Sequence, residues 1–261
     1  MSESALLVEF SEGRLTLTLN RPAKRNALTR ALLEELLAVL RKYGSAADVR
    51  LLILQASGSV FCAGMDLAEM QETAKSPEAG ALWESDADLY ASVVIELLRF
   101  PVPTLVVLNG PVLAGGVGLV LACDLVIGTA QSSFSLPEPQ RGIVAAVVTP
   151  LLNHRLSTGS ASWILLSQTL CSGTQAHQWG VIHRLVESEQ LESLKEDLSQ
   201  AILRGGPHAM TDTKRHLLQV SNPLLVEQIQ MAAKLSAAAR NSSEAREGLA
   251  AFLEKRLPHW N

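Results

Sequence analysis

The chain has 261 residues, nearly half of them apolar and under a fifth charged, which supports a sizeable core and excludes an intrinsically disordered chain. A net charge of −4 without a Lys/Arg-rich stripe argues against nucleic-acid binding, so an anionic ligand would have to be met by local cations. Three cysteines, Cys62, Cys123 and Cys171, form no CxxC pair, and the six histidines show no metal spacing; no metal site is expected, and a reducing, cytoplasmic compartment is.

In chain order, Leu6–Phe10 and Leu15–Leu19 are β-type runs separated by Ser11-Glu12-Gly13. The second stops at Asn20-Arg21-Pro22. Thr29 is an N-cap candidate, followed by Leu32, Leu33, Leu36, Leu37 and Leu40 at helical spacing and closed by Gly44. Arg50–Gln55 is a short buried strand, Ala56–Leu67 a small-residue loop, and Lys75–Ala81, with Pro77 and Gly80, a mobile loop. Leu82–Phe100 is helical and Thr104–Asn109 the next buried strand. The glycine-rich Gly110–Gly118 leads into a helix over Leu119–Cys123, with strands at Leu125–Ile127 and Phe134–Ser135. After Ser188 four helices are predicted, Leu191–Leu203, Ala209–Val220, Leu224–Ala239 and Glu244–Lys255, the first three separated by Gly205-Gly206-Pro207 and Ser221-Asn222-Pro223. The alternation of buried strand, loop and helix is that of an α/β domain with a helical C-terminal part. The N-terminus carries no signal-peptide pattern, and the apolar runs are too short or too broken to span a membrane.

Two loops carry candidate chemistry. Phe61–Leu67 and Asn109–Gly118 each follow a buried strand and bring a glycine-rich backbone to its end, where open α/β sheets bind ligands. Tight packing turns would use the same glycines. A dinucleotide fold is excluded because no G-x-G-x-x-G opens a helix after the first strand, and a P-loop because no Gly-Lys-Ser/Thr is present.

Leu19-Asn20-Arg21-Pro22 with Asn26-Ala27-Leu28, Phe61-Cys62-Ala63-Gly64-Met65-Asp66-Leu67, the Asn109–Asp124 segment, Phe134-Ser135-Leu136-Pro137-Glu138, Gly173–Ala176 with Trp179–Ile182, Gly206-Pro207 with Thr213-Lys214, and Phe252–Arg256 occur in the order found in the enoyl-CoA hydratase/isomerase (crotonase) superfamily. The chain resembles that superfamily along essentially its whole length. Ala114–Val120, Phe134–Glu138 and Val148-Thr149-Pro150 look most like its methylglutaconyl or branched-chain hydratase subgroup.

The resemblance implies an α/β spiral of repeated ββα units over residues 1–200 and a helical trimerisation region over 201–261. It implies a homotrimer or a dimer of trimers, and an acyl-CoA thioester substrate with no cofactor beyond that coenzyme A. It implies an oxyanion hole formed by the N–H groups of Met65 and Gly115, with Ala63, Asp66, Leu67, Gly116 and Gly118 against the substrate. Asp66 is equally open to a role in capping its own loop, and Asp124 reads as structural. On its own Glu138 reads as a surface glutamate in a Pro-Glu-Pro turn; the flanking match makes it the proton-transfer carboxylate. Lys24, Arg25 and Lys255, with Arg256, fall where relatives meet the nucleotide, although each also fits a solvated cation.

One position departs from the best-known hydratases: their second glutamate is replaced here by Gly118. The resemblance therefore implies a lyase adding water to a 2-enoyl-CoA, with two alternatives left open: a Δ3,Δ2-enoyl-CoA isomerase using Glu138 alone, and a non-catalytic acyl-CoA binding protein. A dienoyl-CoA isomerase is disfavoured, because its further acids would fall at Gly118 and Ala146.

Overall fold

The computed structural model describes residues 4–260. Its frame is a six-stranded sheet. β1 (Leu6–Ser11) and β2 (Arg14–Leu19) form an antiparallel hairpin, and β3 (Leu51–Ala56), β4 (Thr104–Leu108), β6 (Leu125–Thr129) and β9 (Arg184–Val186) add in parallel in that order. The two residues turning the hairpin, Glu12 and Gly13, have φ of 52° and 77°, the positive pair that a tight primed turn demands. β4 is buried along its whole length and β3 over its first four residues, the continuous apolar pattern of strands covered on both faces.

A second, three-stranded sheet runs β5 (Pro111–Leu113), β7 (Ser133–Ser135), β8 (Cys171–Ser172). An isolated bridge from Cys62 to Val112 extends it. Successive turns of chain thus leave one strand in the large sheet and a short one in the small sheet: β4 then β5, β6 then β7. This is the expected spiral of repeated units. β5 lies inside the stretch expected to be loop; three residues carry too little pattern to be read as a strand until Pro111, Val112 and Leu113 meet their partners on β7.

Helices cover the sheets. α1 (Arg30–Gly44) is capped by Thr29, whose side chain accepts from Leu32 N, and it buries Leu32, Leu33, Leu36 and Leu40. α2 (Leu67–Lys75) occupies a stretch with no sequence assignment, and α3 (Ala79–Leu98) begins before the expected Leu82. The loop expected over Lys75–Ala81 is thereby reduced to residues 76–78, tightened by the hydrogen bond from Glu78 N to Ser76 Oγ. α4 (Gly115–Ala122) is buried throughout. The short helices α5 (Val148–Arg155), α6 (Thr158–Ser167) and α7 (Gly173–Gln178) have no counterpart in the sequence reading either.

The C-terminal part is α8 (Leu191–Leu203), α9 (Pro207–Ser221), α10 (Leu225–Arg240) and α11 (Ser243–Leu253). The boundary expected between residues 200 and 201 falls inside α8. Leu225, Ile229 and Ala233 of α10 and Leu249 of α11 belong to the same core cluster as Leu17 and Leu54 of the sheet. Asp124 has the structural role read for it: it accepts from Thr104 N and Oγ1 and pairs with Lys214 Nζ at 2.7 Å, tying β4 and β6 to α9. Among the described residues no helix is long and apolar enough to cross a membrane.

Candidate active site

The Asn20–Leu28 segment is the brace of the first loop. Asn26 is fully buried, with φ of +53°. Its amide donates to the carbonyls of Ser57 and Val60, and its Oδ1 accepts from Arg21 N. The Arg21 guanidinium reaches Ala27 O and the Asp66 carboxylate. Asp66 also caps α2 by accepting from Ala68 N, so of its two readings the structure supplies the capping one, and its side chain is turned to Arg21. Lys24 and Arg25 are exposed on the short turn that precedes Asn26, and Ala63 N donates to Arg25 O at 3.0 Å, which sets the two cations beside the loop.

Leu28 N donates to Gly64 O and Asp66 N donates to Leu28 O, at 2.8 and 2.9 Å. These two bonds flank Met65. Because successive groups of an extended backbone alternate in direction, they leave the Met65 N–H pointing away from Leu28, with no backbone acceptor among the described residues. The second loop meets the first here. Gly64 has φ of +83°, and a Cβ on it would lie 2.6 Å from Ala114 Cβ and 3.3 Å from Gly115 N, so only glycine allows the approach.

Ala114, at φ 50° and ψ −126°, holds a backbone conformation that side-chain-bearing residues rarely adopt; it is fixed by the bond from Ala114 N to Ser135 O. α4 starts at the next residue. The Gly115 N–H is therefore one of the first amides of a helix, for which the helix itself has no acceptor, and it carries the positive end of the helix dipole.

Gly116 and Gly118 lie behind this edge. A Cβ at Gly116 would meet Cys62 Cβ at 2.7 Å, and one at Gly118 would meet the Tyr90 Oη at 2.1 Å. The buried Tyr90 hydroxyl donates to Gly115 O at 2.6 Å. The space that a side chain at residue 118 would need is thus filled by a tyrosine from α3, whose phenol burial pushes well above its ordinary pKa. Burial likewise pushes the Cys62 thiol up to about 12, so it is no nucleophile at neutral pH.

Glu138 enters from the opposite wall. It follows β7 and opens a short turn, Pro139–Arg141, ended by Gly142 at φ +63°. Its carboxyl is turned inward and Oε2 is shielded without a hydrogen-bond partner. Desolvation raises its pKa to about 7, against the opposing pull of a backbone N–H and of the Arg141 and Arg240 charges. The surface-turn alternative does not fit this placement. α11 packs flush on the turn: a Cβ on Gly142 or on Gly248 would each come within 2.3 Å of the facing backbone, Glu244 and Arg141 respectively.

One cleft brings together Ala63, Met65, Leu67, Gly115 and Glu138. It does not include Asp66, Gly116, Gly118, Lys24 or Arg25; nor does it include Lys255, an exposed residue just past the C-terminal end of α11. It adds Tyr90, Arg141, Ser236 and Arg240, none of which the sequence reading singled out. Arg240 ends α10 with no local mark in the sequence, and only the packing of α10 against α3 turns it inward.

Two backbone amides without acceptors among the described residues, a glutamate of raised pKa and apolar side chains in one cleft make a site suited to carbonyl activation and proton transfer. Comparison with known proteins places the chain in a family. The profile described as enoyl-CoA hydratase/isomerase matches residues 9–261. The mevalonyl-coenzyme A hydratase of Aspergillus fumigatus is 33% identical over 255 residues, 94% of this chain and 90% of that protein. The 2,3-dehydroadipyl-CoA hydratase of Escherichia coli is 31% identical over 256 residues, 98% of both chains. The crystal structure of an enoyl-CoA hydratase from Mycobacterium avium superposes with a TM-score of 0.87 at 29% identity, covering 100% of each chain. The fold is that of the crotonase superfamily, and the chain belongs to its enoyl-CoA hydratase/isomerase family.

Proposed function

We propose that the protein is a lyase that adds water across the double bond of a 2-enoyl-CoA thioester. The observation that carries this reading is the placement of Glu138, shielded and of raised pKa, in one cleft with the unpartnered amides of Met65 and Gly115. In this mechanism the thioester oxygen accepts from both N–H groups. Ionised Glu138 takes a proton from water as its oxygen bonds to C3; the C2–C3 π electrons move toward the carbonyl, giving an enolate whose charge rests on the two amides. Glu138, now protonated, returns the proton to C2. Each preorganised donor is worth about 3 kcal/mol of barrier, and a group near pKa 7 is balanced between giving and taking a proton at neutral pH. Backbone donors explain why the side chain at residue 65 needs no polarity.

A second reading, Δ3,Δ2-enoyl-CoA isomerisation, is favoured by one observation: Glu138 is the only carboxylate lining the cleft among the described residues. One carboxylate suffices to carry a proton between C2 and C4. A pure acyl-CoA binder has no use for a shielded, unpartnered glutamate, which costs stability. The deciding experiment is a panel of 2-enoyl- and 3-enoyl-CoA thioesters, with hydration and double-bond migration followed separately. Hydration as the faster reaction supports the lyase, migration without hydration supports the isomerase, and neither reaction supports the binder.

We also propose assembly as a trimer or a dimer of trimers through the C-terminal helices. Leu217, Val220, Leu224, Met231 and Leu235 on and beside α9 and α10 are large, apolar and exposed in the single chain, which supports a partner for that surface. A solution mass near that of one chain at micromolar concentration would remove this part of the proposal.

A further inference from the structure

Adding water to a double bond requires the water to be held as well as deprotonated. A water molecule has two protons, and Glu138 takes one of them. A second acceptor on the other proton fixes the direction of the oxygen lone pair that attacks C3. The polar side chains lining the cleft are Tyr90, Glu138, Arg141, Ser236 and Arg240. The two guanidinium groups only donate, and a donor on the water oxygen withdraws the electron pair needed for attack. Glu138 is the one carboxylate lining the cleft among the described residues, so the second acceptor has to be a hydroxyl.

The Tyr90 hydroxyl is mounted for that task. Its one proton is committed to Gly115 O at 2.6 Å, which leaves the lone pairs of Oη free to accept. Burial, and after it the nearby Cys62 and Glu138, push the phenol well above its ordinary pKa, so it stays neutral and keeps that proton. Oη lies 3.5 Å from the point where a Cβ on Gly115 would stand and 2.1 Å from the same point on Gly118. It therefore sits between the residue whose amide is read as an oxyanion donor and the residue at which the sequence lacks a carboxylate. Val148, whose Cγ2 is 3.5 Å from the Gly118 point, lines the cleft together with Tyr90. Ser236, on α10, carries the competing hydroxyl and enters the test.

We propose that Tyr90 is a second catalytic residue of the hydration: its Oη accepts a hydrogen bond from the attacking water, whose other proton goes to Glu138. The proposal rests on the reading of the cleft as a hydratase site. As the bond from oxygen to C3 forms, the O–H bond facing Glu138 breaks. The proton facing Tyr90 stays on the oxygen and becomes that of the 3-hydroxyl group. The C2–C3 π electrons move toward the thioester oxygen, and Glu138 delivers its proton to C2 as the enolate collapses. Tyr90 keeps its own proton on Gly115 O throughout.

Tyr90→Phe removes Oη and keeps the ring. Two rates are read on matched substrates: hydration of an enoyl-CoA, and exchange of the C2 proton of its saturated counterpart in deuterated water, followed by mass spectrometry. Exchange uses Glu138 and the two amides but no attacking water. Hydration should fall roughly 10–100-fold, the worth of one hydrogen bond that orients the attacking group, while exchange stays at the parent rate. An equal fall in both would show that Tyr90 acts only by holding the Gly115 backbone, and would overturn the proposal. Unchanged hydration would overturn it too, and a loss of hydration in Ser236→Ala alone would give the role to Ser236. If Tyr90→Phe does not fold, 3-fluorotyrosine decides. The chain has two tyrosines, so in a Tyr43→Phe background the fluorine enters at residue 90 alone, where it keeps Oη but weakens it as an acceptor. Hydration should again fall with exchange unchanged, and hydration at the parent rate would sink the idea. The parent protein separates the two readings. Exchange without hydration in the parent would remove the hydratase reading and this proposal with it; hydration untouched by Tyr90→Phe would keep that reading and remove this proposal alone.

Discussion

The two walls of the cleft are built on opposite principles. The first wall is backbone: Gly64 and Ala114 are there for the side chain they lack or the φ they hold, and they bring to the cleft the backbone of Met65 and Gly115, whose amides are proposed to hold the thioester oxygen. The other wall is side chain: Glu138 and Arg141 from one turn, Arg240 from α10 and Tyr90 from α3 converge on it, and two of them are propped on aromatic rings. A backbone wall specifies a reaction class, because any thioester presents the same oxygen. A side-chain wall specifies what the rest of the molecule looks like. Relatives that share the first and differ in the second are therefore expected to share enolate chemistry and differ in substrate.

Substitutions that break one wall and spare the other sharpen this contrast. The largest effect is expected from Glu138→Gln, which keeps shape and removes the titrating group: turnover should fall roughly 10²–10⁴-fold in a steady-state assay, with little change in coenzyme A affinity. Unchanged turnover would show that the proton carrier lies elsewhere.

Next comes Gly118→Glu. Its side chain must displace the Tyr90 hydroxyl and with it the hydrogen bond to Gly115 O. Thermal or chemical denaturation should register a loss of about 1–3 kcal/mol, the usual cost of overpacking a filled interior. A variant as stable as the parent would mean that Tyr90 swings away freely.

The pH dependence of kcat/KM should show Glu138 as a base, activity falling as pH drops through about 7. Stability runs the other way. The folded-state pKa is raised above the ordinary 4.5, so the native state holds the proton more tightly than the unfolded chain. The group therefore lowers stability progressively as pH rises from about 4.5 to about 7. Glu138→Gln should accordingly be more heat-stable than the parent at pH 8, by a margin that narrows toward pH 5. A constant margin, or one that widens in acid, would contradict the burial that sets this pKa.

The smallest expected effect is Ala114→Gly, which relieves the strained N-cap of α4. It should raise stability by at most about 1 kcal/mol, offset in part by lost contact with Gly64.

The contrast between the walls also explains what was readable in the sequence. The backbone wall was legible because glycines at strand ends leave a local signature: Gly64 and the Gly115-Gly116 pair are visible within a few residues of the strands they follow. The brace Asn26 fell inside a legible motif, although its task, bonding to Ser57 and Val60, appears only when the loops are folded together. Of the side-chain wall, Glu138 was reached through its neighbours Phe134, Leu136 and Pro137. Arg240 and Tyr90 carried no local mark, since an arginine ending a helix and a tyrosine within one are ordinary; their meaning comes from α10 and α3 lying side by side. Gly118 marked a missing carboxylate without indicating that Tyr90 fills the space. Elements of two or three residues, β5, β8 and β9, were illegible for a simpler reason: their stability comes from their partners, and so little chain shows no period.

The most direct test of the central claim follows oxygen. Parent protein and Glu138→Gln are incubated side by side with the enoyl-CoA panel in water enriched in oxygen-18, and the products are read by mass spectrometry. The account predicts a 3-hydroxyacyl-CoA carrying one heavy oxygen on C3 from the parent, formed far more slowly by the variant. Double-bond migration with no oxygen incorporated, or heavy product formed equally fast by both proteins, would contradict it.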